Sequence, residues 1–496
     1  MQMKKLILII SSLLLFGICA CTPSTPSNFL QGTREITLSN GMRFLLLRRS
    51  GAPVFNAYIV VRVGGIDEAE GQTGIAHLLE HMAFKGTSRI GSKDFAAEQK
   101  LLDRIEELHA RLLKAQGPEQ ARLAEEMRAQ IEAAGRFVEK EEFSKIYLRN
   151  GGAGLNATTS QDITSYFVEL PNTKLPLWAY LESERLRDPV FREFYLERDV
   201  VLEERRTRVD DSPFGKLYES LMELAFEKSP YRRPTVGYAR DVARLSATDL
   251  RNFYKKYYVP SNMVGVVVGD IDLDETAKIL EKYFGKIPPG PRPPQPQAET
   301  LRPSEEKRVE VPFDAAPALM SGYPKPTMPN PEDYVFDVLD QVLCEGRTSR
   351  LYRRLVEQDR LANNVRCSSS TPGARLDNLF FFYVSIAEGK SAEEVLQAVD
   401  EELQKVLAQG IGKPELNKAK KNLLADWNYE LQGNENTAQM LSYFEAVTGN
   451  WKYLVEHPRH IQAVTSKDLQ GVVKNYLNPG QRSTVVLKKI SAADAK

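Results

Sequence analysis

Apolar and polar residues alternate along the start of the chain, which is the pattern of half-buried β-strands. "REITLSNGMRFLLLRR" (34–49) alternates around Asn40-Gly41, a pair that tolerates the positive φ angles of a tight hairpin turn. "VFNAYIVVRVGG" (54–65) follows as a third strand, and "NMVGVVVGDI" (262–271) is almost wholly apolar, which is typical of a buried strand. These patterns predict a β-sheet whose strands come from both the beginning and the end of the segment 34–285.

Between these strands the apolar period changes to that of helices. A helical repeat is interrupted by "QGPEQ" (116–120) and then resumes; its apolar positions are Leu101, Ile105, Leu108, Leu112, Leu123, Met127 and Ile131. The spacing predicts an antiparallel helical hairpin, inserted at about residues 97–145.

The closing segment of this first half recurs near the C-terminus. "SATDLRNFYKKYYVPSNMVGVVV" (246–268) aligns with "TSKDLQGVVKNYLNPGQRSTVVL" (465–487) without gaps. Similarity of a single helix-loop-strand unit can arise by chance, but a unit that closes both halves favours internal duplication. The proline-rich stretch 286–307 is predicted to be a stiff linker between an N-terminal domain (34–285) and a C-terminal domain (308–490). We therefore expect two copies of one α+β fold.

The N-terminus indicates export from the cytoplasm. A basic start, a short apolar run and "ICAC" predict a signal peptide at residues 1–20. The residues before Cys21 resemble the lipobox of bacterial lipoproteins, in which the cysteine is lipidated; cleavage without lipidation is the alternative. Because Thr22 is not the aspartate that retains lipoproteins in the inner membrane, we expect a lipid anchor at the periplasmic face of the outer membrane, with 21–33 as a tether.

Charge and cysteine content narrow the picture further. The chain has 66 basic and 66 acidic residues in 496, so no basic excess points to nucleic acid. Only Cys344 and Cys367 would remain after processing and lipidation. Two cysteines are too few for a disulfide framework, so we expect buried thiols that could form one bridge.

The candidate chemistry lies in "TGIAHLLEHMAFKGT" (73–87), which holds two of the chain's five histidines. On a helix, His77 and His81 are four positions apart and point to one side, and Glu80 joins that side. Two imidazoles at this spacing suit zinc, which in a catalytic site takes one more protein ligand, and Glu80 could then act as the general base. The alternative is a helix that carries these residues on a polar face by accident.

The segment "GGIDEAEGQTGIAHLLEHMAFKGT" (64–87) resembles, over its whole length, the signature of the inverzincin peptidases, the family of pitrilysin, insulin-degrading enzyme and the mitochondrial processing peptidase. The resemblance implies two tandem homologous domains, each a mixed β-sheet backed by helices, and one Zn²⁺ per chain. It also implies a zinc-dependent endopeptidase that acts on peptides or unfolded segments.

The same resemblance assigns further site residues. "ERDVVLEE" (197–204) matches the family pattern E-R-x5-E, which makes Glu204 the third zinc ligand and Glu197 a carboxylate that orients a histidine ligand. Adjacent Glu203 is expected at the surface. Without the histidine motif, all of these glutamates would be interpreted as a solvated helix face.

A second matching segment predicts where substrate binds. "GGAGLNATTSQDITSYFVEL" (151–170) resembles the family's edge strand, which pairs with the main chain of an extended peptide. Asn156, Ala157 and Thr158 are the expected substrate contacts, whereas Tyr166 is expected to serve packing.

The second half departs from the family pattern. The family places an arginine and a tyrosine, in R-x6-Y spacing, where this chain has Val356 and Asn363. Two domains are also only half of the four-domain chamber that the family builds. We therefore expect a dimer, either with a homologue that supplies the missing pair or as a homodimer. A zinc-binding but inactive scaffold subunit and a peptide-binding lipoprotein are the alternative functions, and the substrate's identity does not follow from the sequence.

Overall fold

The computed structural model describes residues 30–297, 303 and 305–490. The predicted signal peptide (1–20), the lipidation site Cys21 and most of the predicted tether lie outside the described residues. Within the described part of the chain, no helix is both long enough and apolar enough to cross a bilayer.

The first half forms a six-stranded sheet. Its strands are β1 (Arg34–Thr37), β2 (Arg43–Arg48), β3 (Val54–Val61), β4 (Ala153–Thr159), β5 (Thr164–Pro171) and β6 (Met263–Gly269). Their order across the sheet is β1-β2-β6-β3-β5-β4. The predicted hairpin is β1-β2, but the third strand does not pair with it, because the wholly buried β6 inserts parallel to β2 and antiparallel to β3. The strand β4 is at the edge.

The helices of the first half are α1 (Ile75–Met82), α2 (Phe95–Leu112), α3 (Gly117–Gly135), α4 (Glu142–Arg149), α5 (Leu175–Arg185), α6 (Phe194–Arg205), α7 (Pro213–Ala225), α8 (Ala239–Val242), α9 (Ala247–Tyr257) and α10 (Leu273–Phe284). The predicted insertion is present as the paired helices α2 and α3. The remainder of the expected range holds a turn and the start of the separate helix α4. One π-helical turn, Arg206–Asp210, extends α6.

The second half repeats the arrangement of the first. Its strands are β7 (Lys307–Phe313), β8 (Ala318–Lys325), β9 (Ala362–Thr371), β10 (Asn378–Ile386) and β11 (Ser483–Lys489). Their order, β7-β11-β8-β10-β9, matches β2-β6-β3-β5-β4, and β7 and β11 are parallel as β2 and β6 are. Its helices are α11 (Glu332–Leu343), α12 (Ala392–Gln409), α13 (Lys413–Glu430), α14 (Asn434–Thr448), α15 (Tyr453–Ala463) and α16 (Ser466–Tyr476).

The expected fold class, α+β with two tandem copies of a mixed sheet backed by helices, is thereby confirmed. The two aligned segments both form a helix followed by a strand. Each helix begins with the same cap: the side chains of Ser246 and Thr465 accept a hydrogen bond from the backbone N–H of an aspartate three residues later. The residue limits assigned to the two domains stay predictions.

The two halves exchange helices across their sheets. Helix α14 of the second half packs on β3 and β6 of the first sheet, where Leu441 joins an apolar cluster with Tyr58 and Val266. Conversely, α7 of the first half packs on β7, β8 and β11 of the second sheet, where Leu221 contributes to a cluster that includes Met320. Each half therefore completes the core of the other.

A buried polar contact also joins the halves next to the edge strand. The Arg375 guanidinium donates to Asp67 Oδ2 (2.9 Å) and to the carbonyl of Asp162 (2.9 Å). Asp162 lies in the turn between β4 and β5. The backbone N–H of Ala374 donates to the Asp162 carboxylate (2.6 Å), which also accepts from Tyr231 Oη (2.7 Å). This turn is therefore fixed by residues that are distant in sequence.

Cys344 and Cys367 form a disulfide between the end of α11 and the strand β9. Of the two expectations, free thiols and one bridge, the structure has the bridge. Cys344 is buried, and Cys367 is only partly so.

Candidate metal centre

Helix α1, which carries the histidine motif, begins at a position that requires glycine. Gly74 has φ +86°, and a Cβ there would lie 2.7 Å from the carbonyl oxygen of Val236. The buried Glu68 carboxylate accepts hydrogen bonds from the backbone N–H groups of Gly74 and Ala76, both at 2.9 Å. It thus satisfies donors that have no partner within the helix, and burial raises the pKa of this carboxyl to about 8.

The three predicted ligands converge. His77 Nε2 lies 3.5 Å from Glu204 Oε1, and His81 Nε2 lies 3.4 Å from Glu204 Oε2. One ligand atom from each of these three residues lies within 4.8 Å of the others. Glu204 is on the last turn of α6, which packs against α1, so residues far apart in sequence meet at one point.

The electrostatics of the three groups suit a divalent cation. Burial and the neighbouring His81 lower the pKa of His77 to about 4, so its imidazole is neutral at pH 7. Burial lowers the pKa of His81, but hydrogen bonds to Glu197 and Glu204 outweigh it and raise that pKa to about 9. The hydrogen bond from His81 lowers the pKa of Glu204. Two imidazoles and an ionised carboxylate are a donor set that zinc prefers. If a cation replaces the proton on His81 Nε2, Glu204 pairs with the cation and Glu197 keeps its hydrogen bond from His81 Nδ1.

Glu197 takes the orienting position expected for it. Its Oε1 accepts from His81 Nδ1 (2.9 Å) and its Oε2 from Lys85 Nζ (2.7 Å). The hydrogen bond from His81 is the largest cause of a pKa lowered to about 2. With Nδ1 donating to this carboxylate, His81 presents Nε2 to the metal position. Glu203 is exposed and pairs with Arg206, in agreement with the expected surface position.

Glu80 faces the edge strand. Its Oε2 accepts a hydrogen bond from Thr159 Oγ1 (2.7 Å), at the end of β4. Burial is the largest influence on Glu80 and raises its pKa, which moves it toward the range of a general base or acid that works near neutral pH. The side chain that would handle protons is thus fixed by the strand that would bind substrate.

The predicted substrate contacts Asn156, Ala157 and Thr158 lie on β4, whose outer edge is unpaired in the sheet order. They border a cavity of about 850 Å³ that also contains the histidines, Glu80 and Glu204. The cavity lining also includes residues 138–142 and Ser144, which follow the helical hairpin. Tyr166 is buried and shares a hydrogen bond with Tyr258, in agreement with a packing role.

Sequence reasoning missed several residues of the site. Thr159 lies in the segment that resembles the family's edge strand but was not among the expected substrate contacts. Arg208, which pairs with Glu204 at 2.7 Å, lies one helical turn after Glu204. Glu68 and Lys85 lie within the segment 64–87 that resembles the family signature, but no role for either was evident in the sequence. In the second half, Val356 packs against the apolar core and Asn363 donates to the carbonyl of Ile386 (3.4 Å).

Comparison with known proteins places this arrangement in a family. The family described as "Insulinase (Peptidase family M16)" matches residues 43–103 and 139–238, and "Peptidase M16 inactive domain" matches 244–423. The gap at 104–138 covers the end of α2, all of α3 and the three residues that follow it. The chain belongs to peptidase family M16, as the resemblance implied.

Individual relatives agree. The chain is 27% identical to the zinc protease PqqE of Helicobacter pylori, over 98% of each protein, and 25% identical to an uncharacterized zinc protease of Mycobacterium bovis, over 92% of this chain and 93% of that protein. Among solved structures, a protease from Helicobacter pylori aligns with a TM-score of 0.78 at 25% identity, covering 92% of this chain and 99% of the other. A peptidase M16 inactive domain from Pseudomonas fluorescens aligns with a TM-score of 0.75 at 16% identity, covering 93% and 98%.

Proposed function

We propose that the protein is a zinc-dependent endopeptidase that hydrolyses peptides or unfolded polypeptide segments. The observation that carries the proposal is the convergence of His77, His81 and Glu204 beside Glu80, at the unpaired edge of β4. An inert scaffold would need the fold, but it would not need a metal donor set with a proton acceptor next to it.

Each residue has a defined task in this mechanism. His77, His81 and Glu204 would hold one Zn²⁺, which when bound polarises a peptide carbonyl and lowers the pKa of water toward neutrality. The edge of β4 would bind the substrate main chain, which places a peptide bond near Glu80. Glu80 takes the proton from the attacking water and then delivers it to the leaving amine, while Thr159 holds the carboxylate in position.

We also propose that the catalytic chain works as one half of a chamber. Val356 and Asn363 stand where the family places an arginine and a tyrosine, so donors for the developing oxyanion would come from a second subunit. A homologous chain that has both residues is the expected partner. Co-purification of such a chain, with a rise in activity on mixing, tests this; a homodimer with full activity contradicts it.

The proposed location is the cell envelope, with a lipid anchor on Cys21. The support is the N-terminal sequence alone. Mass spectrometry of the mature N-terminus should find a diacylglyceryl cysteine, which Cys21→Ser removes; an unmodified N-terminus elsewhere contradicts the anchor.

The decisive experiment is the substitution Glu80→Gln. Hydrolysis of an internally quenched peptide should fall by roughly a hundredfold or more, because the general base is lost while the amide keeps the side chain's size. Zinc content, measured by elemental analysis, should stay unchanged. If wild-type protein with bound zinc has no activity, alone or with a homologous partner, the scaffold alternative is favoured instead.

A further inference from the structure

We propose that Asp340, Cys344 and Cys367 form a second metal site, which takes Zn²⁺ when the Cys344–Cys367 disulfide is reduced. One ligand atom from each residue lies within 4.8 Å of the others. The cluster shares no residue with the candidate peptidase site, so the inference does not depend on the proposed function.

Two elements of the second half bring the three groups together. Asp340 is on the last turn of α11, and Cys344 follows four positions later, directly after the helix, so both lie on the same side. Cys367 comes from β9, in register with Phe382 of β10. The Cα atoms of the two cysteines are 5.7 Å apart, so both sulfurs reach the same point from fixed elements.

The Asp340 carboxylate has an unpartnered oxygen atom beside the two cysteines. Its Oδ1 is buried and has no hydrogen-bond partner among the described residues. A carboxylate in this environment is costly unless a proton or a metal ion neutralises it. Burial raises its pKa to about 8, and the charged neighbours that contribute, Glu345 and Asp337, are acids that raise it further.

The donor set determines the class of metal. Two thiolates and a carboxylate suit zinc, and the incomplete burial of Asp340 and Cys367 leaves solvent access to a fourth position. The disulfide cannot supply thiolates. A reductant of the thiol or phosphine class must first deliver two electrons and two protons, which gives two thiols, and zinc then displaces the thiol protons. The link between α11 and β9 would thus be covalent when oxidised and metal-mediated when reduced.

The test uses the full mature chain with and without a phosphine reductant. Co²⁺ serves as the probe, because cobalt bound to thiolate has a charge-transfer absorption that a site without cysteine cannot give. Reduction should produce this absorption and raise bound zinc by about one ion per chain in elemental analysis. The histidine site contributes nothing to the thiolate signal, so failure here and failure of the peptidase proposal are separate results.

Substitutions identify the ligands. Cys367→Ser should remove the thiolate absorption of the paired site, and Asp340→Asn should weaken zinc binding at least about tenfold, since changes in the outer shell alone cost roughly 10–100-fold. Glu357→Gln, at an exposed acid outside the ligand set and away from the charges that act on Asp340, is the control and should bind like wild type. The proposal is overturned if reduced wild-type protein shows no thiolate–cobalt absorption, or if Asp340→Asn binds zinc as tightly as wild type.

Discussion

At the scale of single residues, Thr159 is the least expected part of the site. Its hydroxyl is the donor that fixes Glu80, so Thr159→Val should lower kcat by roughly tenfold or more while KM and zinc content stay near wild type. Thr159→Ser keeps the hydroxyl and should restore most of the rate. Steady-state kinetics of both variants decide: equal losses in both, or a loss confined to KM, would mean that Thr159 acts on substrate binding rather than on Glu80.

The protonation of His81 predicts how zinc binding depends on pH. Its pKa is about 9 in the metal-free protein, so below that pH zinc must displace one proton, whereas His77, with a pKa of about 4, is already neutral. Zinc affinity should therefore rise with pH, by about tenfold per unit between roughly pH 6 and 8, and level off near 9. Competition with a chromophoric chelator measures this.

The variant Glu197→Gln provides a control for the pH experiment. It removes a carboxylate that raises the pKa of His81, so the rise in zinc affinity should level off at a lower pH. A zinc affinity that does not change between pH 6 and 8 would contradict the assignment of His81 as a protonated group in the metal-free site.

At the scale of elements, the start of α1 determines whether both histidines are presented correctly. Gly74→Ala combines a positive φ with a Cβ 2.7 Å from the carbonyl oxygen of Val236, so it should destabilise the protein by about 3 kcal/mol or more. Gly71 has a similar φ of +80° but open space around it, so Gly71→Ala should cost only about 1 kcal/mol. Chemical denaturation of both variants measures the difference, and equal costs would show that the contact at Gly74 relaxes freely.

The inserted hairpin shows how an element can change a site without supplying its ligands. The family description leaves out residues 104–138, which hold the end of α2 and all of α3, yet the residues that follow them line the cavity around the histidines. The chain that leaves the hairpin therefore contributes to the lining of the site. The apolar period of the hairpin was evident in the sequence, whereas the contribution of the following residues to the cavity lining was not.

At the scale of the whole molecule, the exchange of α7 and α14 makes the two halves one folding unit. Leu441→Ala and Leu221→Ala each remove a fully buried side chain from a core shared by both halves and should cost about 2–5 kcal/mol. Both should lower the temperature of a single unfolding transition in calorimetry. Leu113→Ala, at a residue 61% exposed, should change stability by less than about 0.5 kcal/mol. Two separate transitions, of which each variant moves only one, would contradict the shared core.

The sequence by itself determined the local structure and the chemistry that depends on it. The strand and helix periods, the turn at Asn40-Gly41, the repeat that ends both halves and the H-x-x-E-H spacing follow from backbone geometry over a few residues, so they are visible in the order of amino acids. A family pattern extended this to Glu197 and Glu204, which the pattern of residues alone would have assigned to a solvated surface.

Only the tertiary structure decided the contacts between distant segments. It inserted β6 between β2 and β3, laid α14 and α7 on the sheet of the opposite half, joined Cys344 to Cys367 and brought Thr159 to Glu80. Such pairings result from many weak contacts between residues far apart in sequence, and no short pattern encodes which of them prevail. The sequence therefore specified the parts of the site, and the fold specified how they meet.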